Sequence, residues 1–271
     1  MTAGDNRANS DDWDLHWRDL GRSAVLNPAQ EYRRRLIMAN LGIGEGSGAR
    51  VLDLGSGLGD FLNDLQATHP EVPKLGIEIS TSGTEIARQR VPHATFLQSD
   101  LLNDDPPAEY HGFATHAVCS EVLEHVDDPV GFLKHARHYM APGCRLVVTV
   151  PGGPRSAFDQ HIGHRRHFSA AELHHVLADA GFSVKFTAGS GFPFFNLYRL
   201  LVILRGRKLI GDAAGAPTPL LKTTSHFFGI LFRLNVSRSR YGWQTIGVAY
   251  NDQNQGPTNA LHILAGGRPL Q

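Results

Sequence analysis

Val51-Leu52-Asp53-Leu54-Gly55-Ser56-Gly57-Leu58-Gly59-Asp60-Phe61-Leu62 is an apolar run that passes into a glycine-rich turn and then into residues of helical period. Glycine removes the Cβ that would hold a ligand away from the backbone, and the amides at a helix start face whatever lies in the turn. A dinucleotide-binding turn carries glycine at its first, third and sixth positions. Here the glycines are Gly55, Gly57 and Gly59, with Asp60 sixth and Asp53 ahead of the turn. A pyrophosphate is therefore a poor fit to this segment, whereas a cation is a good one.

Outward from this stretch the same alternation continues. Lys74 to Ile79, Ala94 to Gln98, Ala114 to Cys119 and Arg145 to Val150 read as further strands, separated by helical-period segments. Strands alternating with helices predict a parallel sheet covered on both faces. Ser169 and Glu172 predict a capping box, with Phe168 and Leu173 placed as a hydrophobic staple, so a helix should run from there to near Gly181. Ser183 to Ala188 and Gln244 to Tyr250 follow as sixth and seventh strands.

Pro28 marks a helix start running through Arg33 to Asn40, and residues 1–27 read as an N-terminal arm or lid. The main domain is expected over 28–252, with a tail at 253–271. A hairpin would need only a short loop between the last two strands. Instead the chain inserts residues of about 192–240, with aromatic helix-period stretches at Pro193 to Leu204 and Pro219 to Leu234. That insertion is expected to cap a substrate.

Lysine plus arginine, 26, balance aspartate plus glutamate, 26, among 271 residues, so no net field draws the chain to nucleic acid. The two cysteines, Cys119 and Cys144, lie in or beside apolar runs without metal-ligand spacing, which suits buried reduced thiols and a cytoplasmic location. Met1 to Trp17 is polar and acidic, unlike a secretory signal. The apolar stretch Phe192 to Leu204 is too short and too interrupted by Asn196 and Arg199 to span a bilayer.

The turn resembles the first motif of class I S-adenosylmethionine-dependent methyltransferases, and the likeness extends through Glu78 and Ser99-Asp100-Leu101. It covers roughly Ala49 to Gly181. It implies an α/β fold, a doubly wound Rossmann-like sheet of seven strands, mostly parallel with an antiparallel last strand. It also implies S-adenosyl-L-methionine as cofactor. Asp53, Gly55, Ser56, Gly57 and Gly59 would border the methionine portion, Glu78 and Ile79 the ribose, and Ser99, Asp100 and Leu101 the adenine, with Ser120 and Glu121 completing the site. A carboxylate such as Glu78 suits a ribose because it accepts from two hydroxyls at once. Taken singly, each residue is equally a strand-end cap or part of an ordinary tight turn.

Cys119-Ser120-Glu121-Val122-Leu123-Glu124-His125-Val126 follows the fourth strand at the carboxyl edge, where open α/β sheets bind ligands. If a helix opens at Glu121, then Glu124 and His125 share its face. The stretch resembles the matching motif of ubiquinone-biosynthesis O-methyltransferases, which implies a divalent ion, magnesium first, on Glu121, Glu124 and His125. The alternatives are that Glu121 only borders the cofactor and that His125 only packs. Asp159, His161, His164, Arg165, Arg166 and His167 crowd the loop after the fifth strand, which has no obvious helix. His164, His161 and His125 are the candidate general bases.

Phe192, Phe194, Phe195, Leu197, Tyr198, Leu201 and Leu204, with His226, Phe227, Phe228, Leu231 and Phe232, give the insertion two apolar faces, either core or pocket. A small aromatic or lipophilic acceptor follows, O-methylated by in-line displacement, with N- and C-methylation as variants. Arg199, Arg205, Arg207 and Lys208 permit a transient membrane contact or an anionic group on the substrate. A nicotinamide-dependent oxidoreductase and a noncatalytic cofactor-binding protein are the rivals.

Overall fold

A computed structural model of the protein describes residues 13–14, 17, 27–44, 46, 48–206 and 219–252, except the side chains of 219–222. Its centre is a single sheet of seven strands in the order β3-β2-β1-β4-β5-β7-β6. They are β1 Val51–Leu54, β2 Lys74–Glu78, β3 Thr95–Gln98, β4 Ala114–Ser120, β5 Met140–Pro151, β6 Ser183–Ser190 and β7 Gln244–Tyr250. The pairs from β3 to β5 are parallel. β7 enters antiparallel between β5 and β6. The fold is thus the doubly wound seven-stranded sheet with an antiparallel last strand. The fifth and sixth strands run longer than their apolar runs.

β1 pairs with β2 on one side and β4 on the other, Val51 facing both Lys74 and His116. The winding direction reverses there, so the crossovers leave in opposite directions and open a crevice at the carboxyl ends of β1 and β4. All of β1 is buried. One core layer gathers Leu52, Leu54, Ile77, Cys119 and Val148, and the other Val51, Leu62, Val118, Val147 and Val248, so alternate β1 residues serve opposite faces.

Eight helices flank the sheet among the described residues: α1 Pro28–Leu41, α2 Asp60–Thr68, α3 Thr81–Arg90, α4 Pro129–Ala136, α5 Ala157–His161, α6 Ala170–Asp179, α7 Phe194–Arg205 and α8 Pro219–Leu231. The Asn27 side chain accepts from Ala29 N at 3.0 Å and Pro28 opens α1, which stops at the left-handed Gly42, φ 73°. The box at α6 is formed as expected. Ser169 N donates to Glu172 Oε2 at 2.7 Å, Glu172 N donates to Ser169 Oγ at 3.2 Å, and Phe168 and Leu173 share one core layer.

Two expectations are overturned. No helix opens at Glu121: that residue is left-handed, φ 57°, turns follow, and α4 begins only at Pro129 with Asp128 as its cap. A residue before proline is driven out of the α region, so a helix could not have continued through Asp128. Conversely, the loop after β5 does contain a helix. Ser156 and Asp159 make a second capping box, Ser156 N to Asp159 Oδ2 at 2.7 Å and Asp159 N to Ser156 Oγ at 3.1 Å, and it starts α5.

The insertion does form α7 and α8, and one face of each is core. The Tyr32 ring of α1 lies 5.3 Å from Phe195 and 5.5 Å from Phe232, and Tyr198 lies 5.3 Å from Phe228. Arg199 is turned inward and buried, so it is not on any outer surface. Arg207, Lys208, the tail from 253 and most of the arm lie outside the described residues. Both cysteines are buried and unbridged. Among the described residues no helix is long and apolar enough to cross a membrane.

Replacing Ser169 by Ala removes one hydrogen bond of the α6 box while leaving the core intact. Urea unfolding should show a loss of about 1 kcal/mol. A midpoint unchanged from the parent chain would show that the packing of Phe168 and Leu173 alone sets this helix start.

Candidate active site

The crevice at the carboxyl ends of β1 and β4 is a cleft of about 760 Å³. At one end the turn after β1 places Gly55 and Gly57 in left-handed conformations, φ 69° and 52°. A Cβ on Gly55 would come within 2.5 Å of Val122 Cγ2, and one on Gly57 within 2.8 Å of the Trp17 ring. Only glycine fits either position. Gly59, by contrast, faces away from the cleft. A Cβ there would meet Ala87 and Phe96 at 3.2 and 3.3 Å, so this glycine serves helix packing rather than ligand approach.

Glu78 is the organising group of this end. Its Oε2 accepts from Gly57 N at 2.8 Å and its Oε1 from Ser80 N at 3.0 Å. Burial pushes the Glu78 carboxyl up, and these donors offset part of that. Asp53 beside it is fully enclosed; burial first, then Glu78 and Asp60, hold its carboxyl well above the usual range. Two acids in one desolvated pocket favour a cationic ligand. Ile79, Ser99, Asp100 and Leu101 line the cleft beyond Glu78. Asp100 shapes its own turn by accepting from Leu102 N at 2.9 Å and Asn103 Nδ2 at 2.7 Å.

The arm residues Trp13 and Trp17 also line the cleft. Asp14 Oδ1 accepts from Ser80 Oγ at 2.7 Å and Ser82 N at 2.8 Å, tying the arm to the start of α3.

At the other end, Ser120 bonds Thr149 across the strands at 2.9 Å and Glu121 leaves the sheet in its left-handed turn. Glu121 Oε2 pairs with Arg33 at 3.0 Å, its Oε1 accepts from Gln244 at 2.8 Å, and Arg33 donates to Gln244 at 2.9 Å. This closed ring engages both oxygens of Glu121, and Glu121 is in neither group of converging ligand atoms. The metal set of Glu121, Glu124 and His125 on one helix face is not formed, because the helix that would have aligned them is absent.

A different cluster forms instead. Glu124 is completely buried, and among the described residues neither of its carboxylate oxygens has a hydrogen-bond partner. Its Oε1 lies 3.8 Å from His164 Nε2. Burial, reinforced by Glu121, pushes the Glu124 carboxyl well above its ordinary range. Burial first, then His125, drives the His164 imidazole down to about 2, which favours its neutral form. The His125 ring stands edge-on between Trp13 and His164, 4.8 Å from each.

Asp159 shows the opposite response. Burial pushes it up, but Arg199 at 2.8 Å and the Ser156 amide and hydroxyl outweigh this and hold it at about 2. His167 joins through Nε2, 3.3 Å from His164 Nδ1, while its own Nδ1 faces Gly153 O at 3.0 Å. His161 does not join. It is exposed on the last residue of α5, and the short helix carries it away from the cleft.

Ligand-capable atoms therefore converge in two groups, Glu124 with His125 and His164, and Asp159 with His164 and His167. Each set is richer in nitrogen than the one read from the sequence, which suits zinc, iron or manganese better than magnesium. Sequence reasoning missed Arg33, Gln244 and the Asp159–Arg199 pair. Only the Ser156-x-x-Asp159 box was legible locally; the other partners are distant in the chain.

A family described as a methyltransferase domain matches residues 29–185, more than half of the chain. The ubiquinone biosynthesis O-methyltransferase of Xylella fastidiosa is 36% identical over 152 residues, 54% of this chain and 56% of that one. A trans-aconitate 2-methyltransferase of Methylobacterium nodulans is 33% identical over 105 residues, 38% of each chain. The chain spans about half the length or less of these curated relatives. Among solved structures, the Haemonchus contortus phosphoethanolamine N-methyltransferase 2 in complex with S-adenosyl-L-methionine superposes with a TM-score of 0.58. It is 14% identical, with 91% of this chain and 61% of that one covered, a likeness of fold.

The depressed Asp159 carboxyl stabilises the folded chain wherever it is ionised. Its contribution is complete above the ordinary carboxylate range and is lost as pH falls through about 2. Asp159→Asn should therefore lower stability near neutral pH, and the gap from the parent should narrow as pH drops below about 4 in urea titrations. A gap independent of pH would mean that shape, not charge, makes the Arg199 contact.

Proposed function

The chain belongs to the methyltransferase domain family, and on that premise we propose that it moves the methyl group of S-adenosylmethionine to an oxygen of a small aromatic or lipophilic acceptor. One observation carries this reading. The glycine turn bound to Glu78 and the His164 imidazole line one cleft, with the buried Glu124 carboxyl 3.8 Å behind that imidazole. The glycine end suits a ribose and a cation, through spare lone pairs on Glu78 and the acidic floor at Asp53. Asp53, Gly55, Ser56 and Gly57 would border the methionine portion, Ile79, Ser99, Asp100 and Leu101 the nucleoside, with Ser120 and Glu121 beyond. The arm would close over the cofactor through Trp13 and Trp17.

In the reaction the acceptor oxygen attacks the methyl carbon as the carbon–sulfur bond breaks, leaving a neutral thioether. Alignment supplies much of the acceleration. The proton released by the acceptor passes to His164. A sulfonium in the cleft favours the carboxylate form of Glu124, which then stabilises the imidazolium. His125, held edge-on, orients His164 rather than exchanging the proton itself. A divalent ion held by Glu124, His125 and His164 would take the place of this proton transfer, supplying Lewis-acid lowering of the acceptor's pKa instead. Phe132, Phe158 and Ile162 on the cleft wall suit an apolar acceptor, and Arg199 is what the insertion adds to that wall. The name of the Xylella fastidiosa relative is in keeping with an oxygen acceptor. Buried, unbridged Cys119 and Cys144 accord with a reducing, cytoplasmic setting.

Calorimetric titration of the cofactor-stripped chain should show binding of S-adenosylmethionine but not NADH, weakened about tenfold or more by Glu78→Gln, the loss of one acceptor in a charged bidentate contact. Methyl transfer to a panel of phenols should fall by roughly 10²–10⁴ in His164→Ala with cofactor binding retained. Failure of the folded protein to bind S-adenosylmethionine would overturn the proposal. Full turnover in His164→Ala would remove His164 from the proton path.

A further inference from the structure

The two cap helices have a second apolar face that the core does not use. On α7, Phe195, Arg199 and Val202 are buried, whereas Leu197, Leu200, Leu201 and Leu204 are exposed, at the i, i+3, i+4, i+7 spacing of a single stripe. Leu204 is 73% exposed. Phe227 and Ile230 on α8 and Leu234 just beyond it repeat the pattern, while Phe228 and Phe232 face inward. Because both helices bury their other side in the same core layer, both stripes point outward from it. Ten of the twelve exposed large hydrophobic residues among the described ones lie between Phe192 and Tyr241. Scattered apolar residues are ordinary on a protein surface, but a concentration of this kind marks an interaction site.

Charge identifies the partner. The chain as a whole is balanced, yet residues 191–243 hold eight lysines and arginines against the single acid Asp212. Arg205 on α7, Arg233 just after α8, and Arg238 and Arg240 in the segment leading to β7 are exposed. Leucine and phenylalanine flanked by arginine, with almost no acid, is the composition of a helix that lies in the headgroup region of an anionic bilayer. A protein partner would have to be both apolar and strongly acidic to match it.

We propose that the outer face of α7 and α8 docks on the surface of an anionic lipid bilayer without crossing it. The consequence for the cleft is direct. α7 carries Arg199 on its buried side, where it bonds Asp159 and lines the cleft, so the helix that would rest in the headgroups is also a wall of the acceptor end. A lipophilic acceptor resident in the membrane would then lie one helix diameter from the cleft. This step rests on the proposed acceptor class, whereas the docking itself does not.

Flotation of the full chain with vesicles tests the docking. At physiological salt it should float with phosphatidylcholine vesicles containing phosphatidylglycerol and stay behind with phosphatidylcholine alone, and added salt should release it. The double substitution Leu200→Glu, Leu204→Glu should reduce flotation about tenfold or more, with thermal unfolding and S-adenosylmethionine binding unchanged. If that variant does not fold, Arg233→Glu with Arg240→Glu gives the same reading through charge. Absence of flotation by folded parent chain, or flotation that neither variant reduces, overturns the proposal. So does a dimer in light scattering that Leu204→Glu dissociates, which would assign the face to a second copy. S-adenosylmethionine binding without flotation would overturn the docking alone and leave the methyl-transfer reading standing.

Discussion

The buried carboxylate of Glu78 is the point from which the rest of the cleft is set. It ends β2, yet its two oxygens accept backbone amides from the turn after β1 and from the start of α3. One side chain thereby joins two crossovers that leave the sheet together. The left-handed glycines make this possible, since a side chain at Gly55 or Gly57 would collide with Val122 or Trp17 before the amide could approach. The arrangement is costly in isolation, because a desolvated carboxylate beside Asp53 is disfavoured, and its donors offset that cost only in part. A cationic ligand with hydroxyl donors would complete what the amides begin.

The acceptor end answers the same problem in two ways. Asp159 is buried, but Arg199 and Ser156 both bond its Oδ2 and hold its carboxyl at about 2. Glu124 is buried without hydrogen bonds among the described residues, and its neutral form is favoured. Two carboxyl groups with opposed ionisation flank one imidazole, His164. Pairs of acids driven apart in this manner are how a site holds a protonated acid and a fixed charge together. The Arg33–Glu121–Gln244 ring engages both oxygens of Glu121, which acts on this cluster through its charge and is not one of the converging ligands.

Most of the framework was legible because it is local. The strand, glycine turn and helix from Val51 to Leu62 are contiguous, and so are the Asn27–Pro28 start of α1 and the Ser169–Glu172 box. Glu78 was legible through the family resemblance, which puts an acid at the end of the second strand. The acceptor end was not legible, since its partners meet only in the fold: Arg33 reaches Glu121 from α1, and Arg199 reaches Asp159 from the cap. Where local reading failed, a local signal had been underweighted. Asp128-Pro129 limits any helix opening at Glu121 to less than two turns and starts a new one, and Ser156 with Asp159 announces a helix in the loop after β5. His161 and Gly59 share another limit, in that spacing identifies a residue type but not the side of the chain it faces.

The cap shows why an apolar stripe need not choose between core and surface. A helix that is apolar on one side has a single demand, whereas α7 is apolar on two, with Arg199 set between core residues. A buried arginine is tolerated only if it is paired, and the Asp159 contact at 2.8 Å meets that condition. The same contact fixes the rotation of α7 about its own axis. With Phe195, Arg199 and Val202 held inward, Leu197, Leu200, Leu201 and Leu204 have no position available except outward. The ion pair at the acceptor end thus determines which face of the cap meets the surroundings.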